Sequence, residues 1–367
     1  MPDRSLRDRI VDFIRRPECE AFDALALEVF AYQYVNNAPY RAFCDRRGAA
    51  PGRIGHWRQI PAVPTGAFKS ADLTCRPRQP SNYFLTSGTT QGADRRGRHL
   101  VADLSLYHAA AVAHAERCLF AGVGADLIRI LSLTPPTTAR PHSSLIHMIA
   151  LFMERWGDPR SGYFAMDAGL DVTGLTSALR QAEADGRPVA VLTTTAALAL
   201  FLDHCEQHDL SYRLPVGSRL METGGNKWPD GLARPPHRLI EERAARLDGC
   251  RRRLGLPDAA IVNEYGMTEL CSQFYDDGGG MTAPHWVRSR LIDPRADQDV
   301  PADAPGLLCH YDLANLHSVM AVQTDDIGIR LHGDGSRFRL LGRGDDAEPR
   351  GCSLDPAGAQ LLSASPT

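Results

Sequence analysis

The stretch Ala260-Ile261-Val262-Asn263-Glu264-Tyr265-Gly266-Met267-Thr268-Glu269 joins a short apolar run to a polar segment ending in a carboxylate. In a sheet of parallel strands covered by helices, strands read as apolar runs, and ligands gather beyond their carboxyl ends. An aromatic ring there can stack on a purine, and an amide can bond the purine edge. A hydroxyl can meet a phosphate, and a carboxylate can hold Mg²⁺. Taken alone, the segment reads better as a tyrosine packed at a strand end with solvated carboxylates, so its surroundings decide.

Working outward, apolar runs recur at Leu127–Leu133, Val189–Leu192 and Arg219–Met221, with helical patterns at Ser144–Glu154, Ala196–His204 and Arg238–Leu254. This alternation predicts an α/β body with a mainly parallel sheet flanked by helices. Residues 5–35 read as two amphipathic helices, with Leu6, Ile10, Phe13 and Ile14 on one face of the first. Asp103 reads as the N-cap of a helix through Cys118. Between about 40 and 82 the prolines 39, 51, 61, 64, 77 and 80 predict loops and short strands. After residue 300 the helical period gives way to short strands at Val319–Gln323, Ile327–Leu331 and Phe338–Leu341. The expected organisation is a body over 1–300, a β-rich subdomain over 301–346 and a tail over 347–367.

Charge and cysteine usage narrow the class. The 367 residues carry Lys+Arg 41 against Asp+Glu 44, a formal net charge of -3, which offers no broad basic field for nucleic acid. Arg95, Arg96 and Arg98 form a cluster too short to change that reading. No apolar run approaches the ~20 residues needed to span a bilayer, and MPDRSLRDRIVDF lacks the layout of a signal peptide. The nine cysteines never form a CxxC pair, which argues against a zinc site or disulfide framework and suits the reducing cytoplasm.

A second segment, Leu85-Thr86-Ser87-Gly88-Thr89-Thr90-Gln91-Gly92, offers N–H and O–H groups that can wrap phosphate oxygens. No GK[ST] follows, so it is not a Walker A loop, and alone such a run is more often a plain surface turn than a phosphate cradle. The order of segments is more specific. TSGTTQG is followed by Thr223-Gly224-Gly225, then NEYGMTE, then Gln323-Thr324-Asp325-Asp326, then Gly342-Arg343-Gly344-Asp345-Asp346. This series resembles the signature motifs of the adenylate-forming superfamily of acyl-CoA ligases, nonribosomal adenylation domains and firefly luciferase.

The resemblance implies ATP and Mg²⁺ as cofactors and a carboxylic acid as substrate. It implies that Ser87, Gly88, Thr89, Thr90 and Gly92 lie on the ATP phosphates. Gly224 and Gly225 would pass beside the adenine, Tyr265, followed by Gly266, would stack on it, and Asn263 would meet its edge. Thr268 would touch the phosphate, Glu269 would hold Mg²⁺, and Asp326 would take the ribose hydroxyls with Arg343 nearby. Asp345 stands where the superfamily has its interdomain hinge. Two departures are visible: Ala93-Asp94-Arg95-Arg96 replaces the usual Pro-Lys after the phosphate loop, and none of the 21 residues after Asp346 is lysine. The expectation is that the terminal lysine domain is missing or truncated, with Lys69 and Lys227, the only two lysines, as candidates to replace its lysine.

Within the superfamily the chain resembles LuxE-type acyl-protein synthetases almost end to end. The likeness includes Phe30-Ala31-Tyr32-Gln33 with Asn36, Asn37 and Tyr40, Ile60-Pro61-Ala62-Val63-Pro64 with Phe68-Lys69, Glu222-Thr223-Gly224-Gly225-Asn226-Lys227, and Arg350-Gly351-Cys352-Ser353-Leu354. It implies that Cys352 accepts the acyl group and passes it to a reductase partner that releases an aldehyde. A thiolate is a better acceptor than a hydroxyl, and a thioester keeps the acyl group activated. A free cysteine is also commonly just a small buried residue. After a Pro-rich stretch come His142 and His147, of which His147 could face the acyl pocket, although a histidine there is more often structural. Arg140 could meet the substrate carboxylate or equally be solvated. Three functions fit: an acyl-protein synthetase, a short ligase delivering to CoA, a carrier protein or an amine, and a non-catalytic nucleotide-binding subunit.

Overall fold

The computed structural model describes residues 5–78, 82–86, 96–123, 127–166, 169–224, 236–276, 278–331 and 337–343. It divides into two compact units, one of 5–114, 266–274 and 280–343, the other of 115–265 and 275–279.

The second unit is built on parallel strands. Ile261–Tyr265 lies beside Arg219–Thr223, which lies beside Val189–Thr194, then Arg129–Ser132, then Gly162–Tyr163. Every residue of Val189–Thr194 is buried, which is why that strand reads as a continuous apolar run rather than an alternating one. The connecting helices are Ser144–Trp156, Val172–Asp185, Thr195–Gln207 and Pro236–Leu254. Leu131, Val191, Leu220 and Ile261 from the sheet pack with Leu175, Leu179, Leu198, Phe201 and Leu254 from the helices. The α/β expectation holds. The Val172–Asp185 helix is an addition; Asp171 caps it through the N–H of Gly174, and Gly186 ends it at φ 63.

The first unit opens on the two expected helices, Leu6–Arg15 and Phe22–Asn36, the first burying Ile10, Phe13 and Ile14 and capped by Ser5. A third helix, Ala38–Asp45, occupies ground expected to be loop. Pro39 permits it because it falls in the first turn, where its missing N–H has no partner to lose, and Asn37 caps that turn by accepting from the N–H of Tyr40. Antiparallel strands follow in the spatial order Gln298–Asp299, Val287–Asp293, Gly306–Asp312, Ala321–Arg330, Arg337–Arg343 and Met281–Thr282. The two strands expected near 319–323 and 327–331 are one, Ala321–Arg330, with a register shift between Ile327 and Gly328 that reads as a break in the pattern. Val63–Pro64 pairs parallel with Val322–Gln323. Asn82–Leu85 and Arg98–Val101 form a separate hairpin. Asp103 accepts from the N–H of Ser105 at 2.9 Å at the start of the Leu104–Cys118 helix, as its capping role requires.

Candidate nucleotide and metal site

In the parallel unit, the register places Thr194 opposite Thr223, and Thr223 opposite Glu264. The carboxyl ends of three neighbouring strands therefore bring Thr194, Thr223, Gly224, Asn263 and Tyr265 to one edge, where an α/β sheet holds its ligands. Gly224 takes φ 84, a conformation suited to glycine. Its carbonyl accepts from the Thr195 hydroxyl at 2.9 Å. Glu222 is 1% exposed and is held by Arg246 Nε at 2.9 Å, so the strand end is braced from the Pro236–Leu254 helix. Asn263 Nδ2 reaches the Glu222 carbonyl at 3.5 Å, and Tyr265 is buried. The Glu264 carboxyl accepts from the Thr223 hydroxyl, and burial pushes it up to about 7.

In the other unit, the 82–101 hairpin, Gly266–Phe274 and the loop 313–320 come together. Leu85 pairs with Arg98, and beyond them the N–H of Thr86 donates to the Gly97 carbonyl at 2.9 Å. The N–H of Gly97 returns a bond to Thr86 Oγ1 at 2.8 Å. A Cβ at Gly97 would press on Thr86 at 3.1 Å and on the Phe68 backbone at 3.2 Å, so glycine fits this close approach. Ser87, Gly88, Thr89, Thr90 and Gly92 lie outside the described residues, as do Gly225, Lys227 and Cys352.

Thr268 sits directly under the hairpin, its Oγ1 donating to the Leu85 carbonyl at 3.4 Å. His99 Nδ1 meets the Thr268 carbonyl at 2.6 Å, which makes the ring nitrogen the donor. Burial lowers His99 to about 4, so the ring is neutral at physiological pH. Glu269 is 1% exposed, and its carbonyl accepts from Asn315 Nδ2 at 2.8 Å. Asp312 then accepts from the N–H of Cys271 at 3.0 Å and from Ser272 Oγ at 2.8 Å.

Asp326 and Arg343 face each other across neighbouring strands, with Nε 3.2 Å from Asp326 Oδ1 and Nη2 3.0 Å from Asp325 Oδ2. Arg343 Nη1 is buried and has no hydrogen-bond partner among the described residues. A buried donor without a partner is costly, so this nitrogen suits an oxygen-rich ligand. Among the described residues no three His, Cys, Asp or Glu gather as a metal cage. One carboxylate, Glu269, next in sequence to Thr268, is a donor of the kind Mg²⁺ takes, since that ion keeps waters and substrate phosphates as its other ligands.

Of the other candidates, Lys69 is exposed at the end of a 3₁₀ turn, Thr65–Lys69. Arg140 is exposed and His142 half-buried, both ahead of the N-cap Ser143, while His147 lies in the first turns of the helix. Sequence reasoning missed His99, Thr195, Asp312 and Asn315. His99 follows the hydroxyl-glycine loop closely enough to be noticed; the other three carry no local signal.

Known proteins resemble this chain in sequence and in fold. A family model described as acyl-protein synthetase, LuxE, matches residues 11–359. A long-chain-fatty-acid–luciferin-component ligase of Vibrio harveyi is 22% identical over 342 residues, covering 89% of this chain and 84% of that protein. Among solved structures, an open conformation of 2-hydroxyisobutyryl-CoA ligase in complex with 2-HIB-AMP and CoA matches with TM-score 0.62 at 13% identity, over 88% of this chain and 75% of the other. The same ligase in its thioesterification state gives TM-score 0.63 at 15% identity, over 88% and 68%. At these identities the structural likeness establishes the fold.

Proposed function

The chain belongs to the acyl-protein synthetase, LuxE, family, and from that premise we propose that it activates a fatty acid as acyl-AMP and loads the acyl group onto its own Cys352. The acid's carboxylate attacks the α-phosphate of ATP, the bond to the β-phosphate oxygen breaks, and pyrophosphate leaves. The Cys352 thiolate then attacks the acyl carbonyl, forming a thioester and releasing AMP. A reductase partner would take up the thioester, with a hydride from NADPH giving the aldehyde and freeing the thiol.

The observation that carries the nucleotide half is the Asp326–Arg343 pair. Its carboxylate can accept ribose hydroxyls while the buried guanidinium keeps one donor unspent. Gly224, Asn263 and Tyr265 are the residues for the adenine, and Thr268 is the hydroxyl for the phosphate. Glu269 would hold Mg²⁺, which when bound neutralises charge on the phosphates. The protein's share is otherwise positioning, through a strand end braced by Arg246 and Thr195. The Vibrio relative is named for a long-chain fatty acid, which makes such an acid the first to test here. Among the described residues no helix is long and apolar enough to cross a membrane; the proposed setting is the cytoplasm, where thiols stay reduced.

Burial pushes Cys44 and Cys205 up to about 11, Cys75, Cys250 and Cys309 to about 12, and Cys271 well above its ordinary value. Such thiols make poor nucleophiles. Cys352→Ser tests the assignment. With ATP and a long-chain acid it should still release pyrophosphate but hold no hydroxylamine-labile acyl label, whereas Cys19→Ser and Cys118→Ser should label normally. A Cys352→Ser protein that labels and delivers acyl groups like the wild type would show that the acyl group goes elsewhere.

A further inference from the structure

The turn carrying Thr268 and Glu269 belongs to no helix or strand, so its shape depends on what holds its backbone. Two consecutive carbonyls are held by buried side chains: Thr268 by His99 Nδ1 at 2.6 Å and Glu269 by Asn315 Nδ2 at 2.8 Å. Each of these side chains belongs to a residue that is 1% exposed. Asn315 Nδ2 also reaches the Val319 carbonyl at 3.1 Å, while its Oδ1 has no partner among the described residues, so the amide acts here purely as a donor.

Asn315 is itself fixed from the amino-terminal helices. Gln33 Nε2 donates to the carbonyls of Asn315 at 2.9 Å and Leu316 at 3.1 Å, and its Oε1 accepts from the N–H of Met320 at 3.0 Å. Asn37 Nδ2 donates to the Ser318 carbonyl at 3.2 Å, and Ser318 Oγ donates to the Leu73 carbonyl at 2.8 Å. Gln33 and Asn37 of the amino-terminal motif, which have no place in the nucleotide reading, thus hold the loop whose Asn315 holds Glu269.

We propose that His99 and Asn315 are positioning residues which set the Thr268–Glu269 turn for a divalent cation. Neither touches the metal or the nucleotide; each orients the backbone from which the Glu269 carboxylate projects. Residues that orient a metal ligand typically contribute about 10–100-fold to metal affinity. The proposal rests on the reading of Glu269 as the metal carboxylate, and the experiment separates the two.

The measurement is calorimetric affinity for α,β-methylene-ATP, a non-reacting analogue, as a function of Mg²⁺ concentration. Glu269→Gln serves as the reference and should lose the tightening by Mg²⁺. His99→Leu and Asn315→Leu should require roughly tenfold more Mg²⁺ for half the effect. Affinity in the absence of metal should be unchanged in Asn315→Leu, which releases the Glu269 carbonyl, and somewhat weaker in His99→Leu, which releases that of Thr268. Leu matches Asn in shape, so Asn315→Leu removes the donor with little change in volume. His99→Asn puts an amide donor near the Nδ1 position and should recover to within about threefold. A merely structural role would lower the melting temperature and leave the Mg²⁺ requirement of the folded protein where it was. If Glu269→Gln loses the Mg²⁺ effect while His99→Leu and Asn315→Leu keep the wild-type requirement, the positioning role is wrong and the metal reading stands. If Glu269→Gln responds to Mg²⁺ normally, both fall together. Should His99→Leu not fold, Asn315→Leu and His99→Asn decide the matter.

Discussion

Glu264 shows how a single residue can be conspicuous in the sequence and still be misjudged from it. In the motif it looks like one of two carboxylates flanking a tyrosine, yet it is 5% exposed and bonded to the Thr223 hydroxyl, with its proton retained to about pH 7. Its ordinary value is 4.5. An unfolded chain therefore releases this proton above pH 4.5 while the folded one keeps it until about pH 7, so its contribution to stability is full below 4.5 and is lost as pH rises to 7. Glu264→Gln removes this dependence while keeping the size of the side chain. Relative to wild type, its melting temperature should be unchanged near pH 4 and higher at pH 8, the gap opening between 4.5 and 7. Parallel melting curves across that range would expose the error by showing a constant gap. The neighbouring positions were legible for a different reason. Asn263, Tyr265, Thr268 and Glu269 fall within seven consecutive positions, so they stand out in the sequence without any long-range pairing having to be known.

At the scale of elements, four of the parallel strands and three of the four connecting helices were legible because each is a continuous apolar or amphipathic run, whereas Gly162–Tyr163 and Val172–Asp185 were not. What was not legible depended on partners. Ala38–Asp45 is helical because Asn37 caps it and Pro39 falls where its ring is tolerated, a distinction that counting prolines does not make. Ala321–Arg330 is one strand because its bulge is absorbed by its neighbours. Asn315 and Asp312 escape notice because their roles consist of bonds to residues more than 40 positions away. The Ser144–Trp156 helix illustrates the energetics. Trp156 is 2% exposed, stacks on Phe120 at 4.2 Å between centroids and meets Phe152 at 5.5 Å. Trp156→Ala should cost about 3–5 kcal/mol, the usual range for emptying a buried aromatic site. Chemical denaturation would read this as a lower midpoint at unchanged slope, and a loss below 1 kcal/mol would mean the cluster is loosely packed.

The molecule as a whole buries ionisable groups of both kinds, and this sets its response to acid. Burial lowers His99 and His317 to about 4 and His310 to about 3 from an ordinary 6.5. Each is neutral when folded and takes a proton when unfolded below pH 6.5. The unfolded state then binds more protons, and stability falls as pH drops from 6.5 towards the folded value. Glu264 and Asp312 act in the opposite sense, since burial raises them to about 7 and about 6. Their stabilisation grows as pH falls through the same window. Among the described residues these three histidines outweigh the two carboxyls, a net loss on acidification, reinforced below pH 4 by Asp103, lowered to about 2. Because the terms oppose, the wild-type slope alone cannot identify them, and a difference between proteins can. His310 is fully buried, bonded to Ser289 Oγ at 2.9 Å and packed against Phe274 at 4.6 Å. His310→Gln keeps a polar group there but cannot titrate. It should be less stable than wild type at pH 7, where a fitted ring is lost, and the deficit should shrink on acidification. The slope between pH 6 and pH 4 should differ by close to one proton, about 1.4 kcal/mol per pH unit. Urea unfolding at half-unit steps measures that slope directly. Parallel curves for the two proteins would mean that His310 is protonated in the folded state, and the burial argument for it would be wrong.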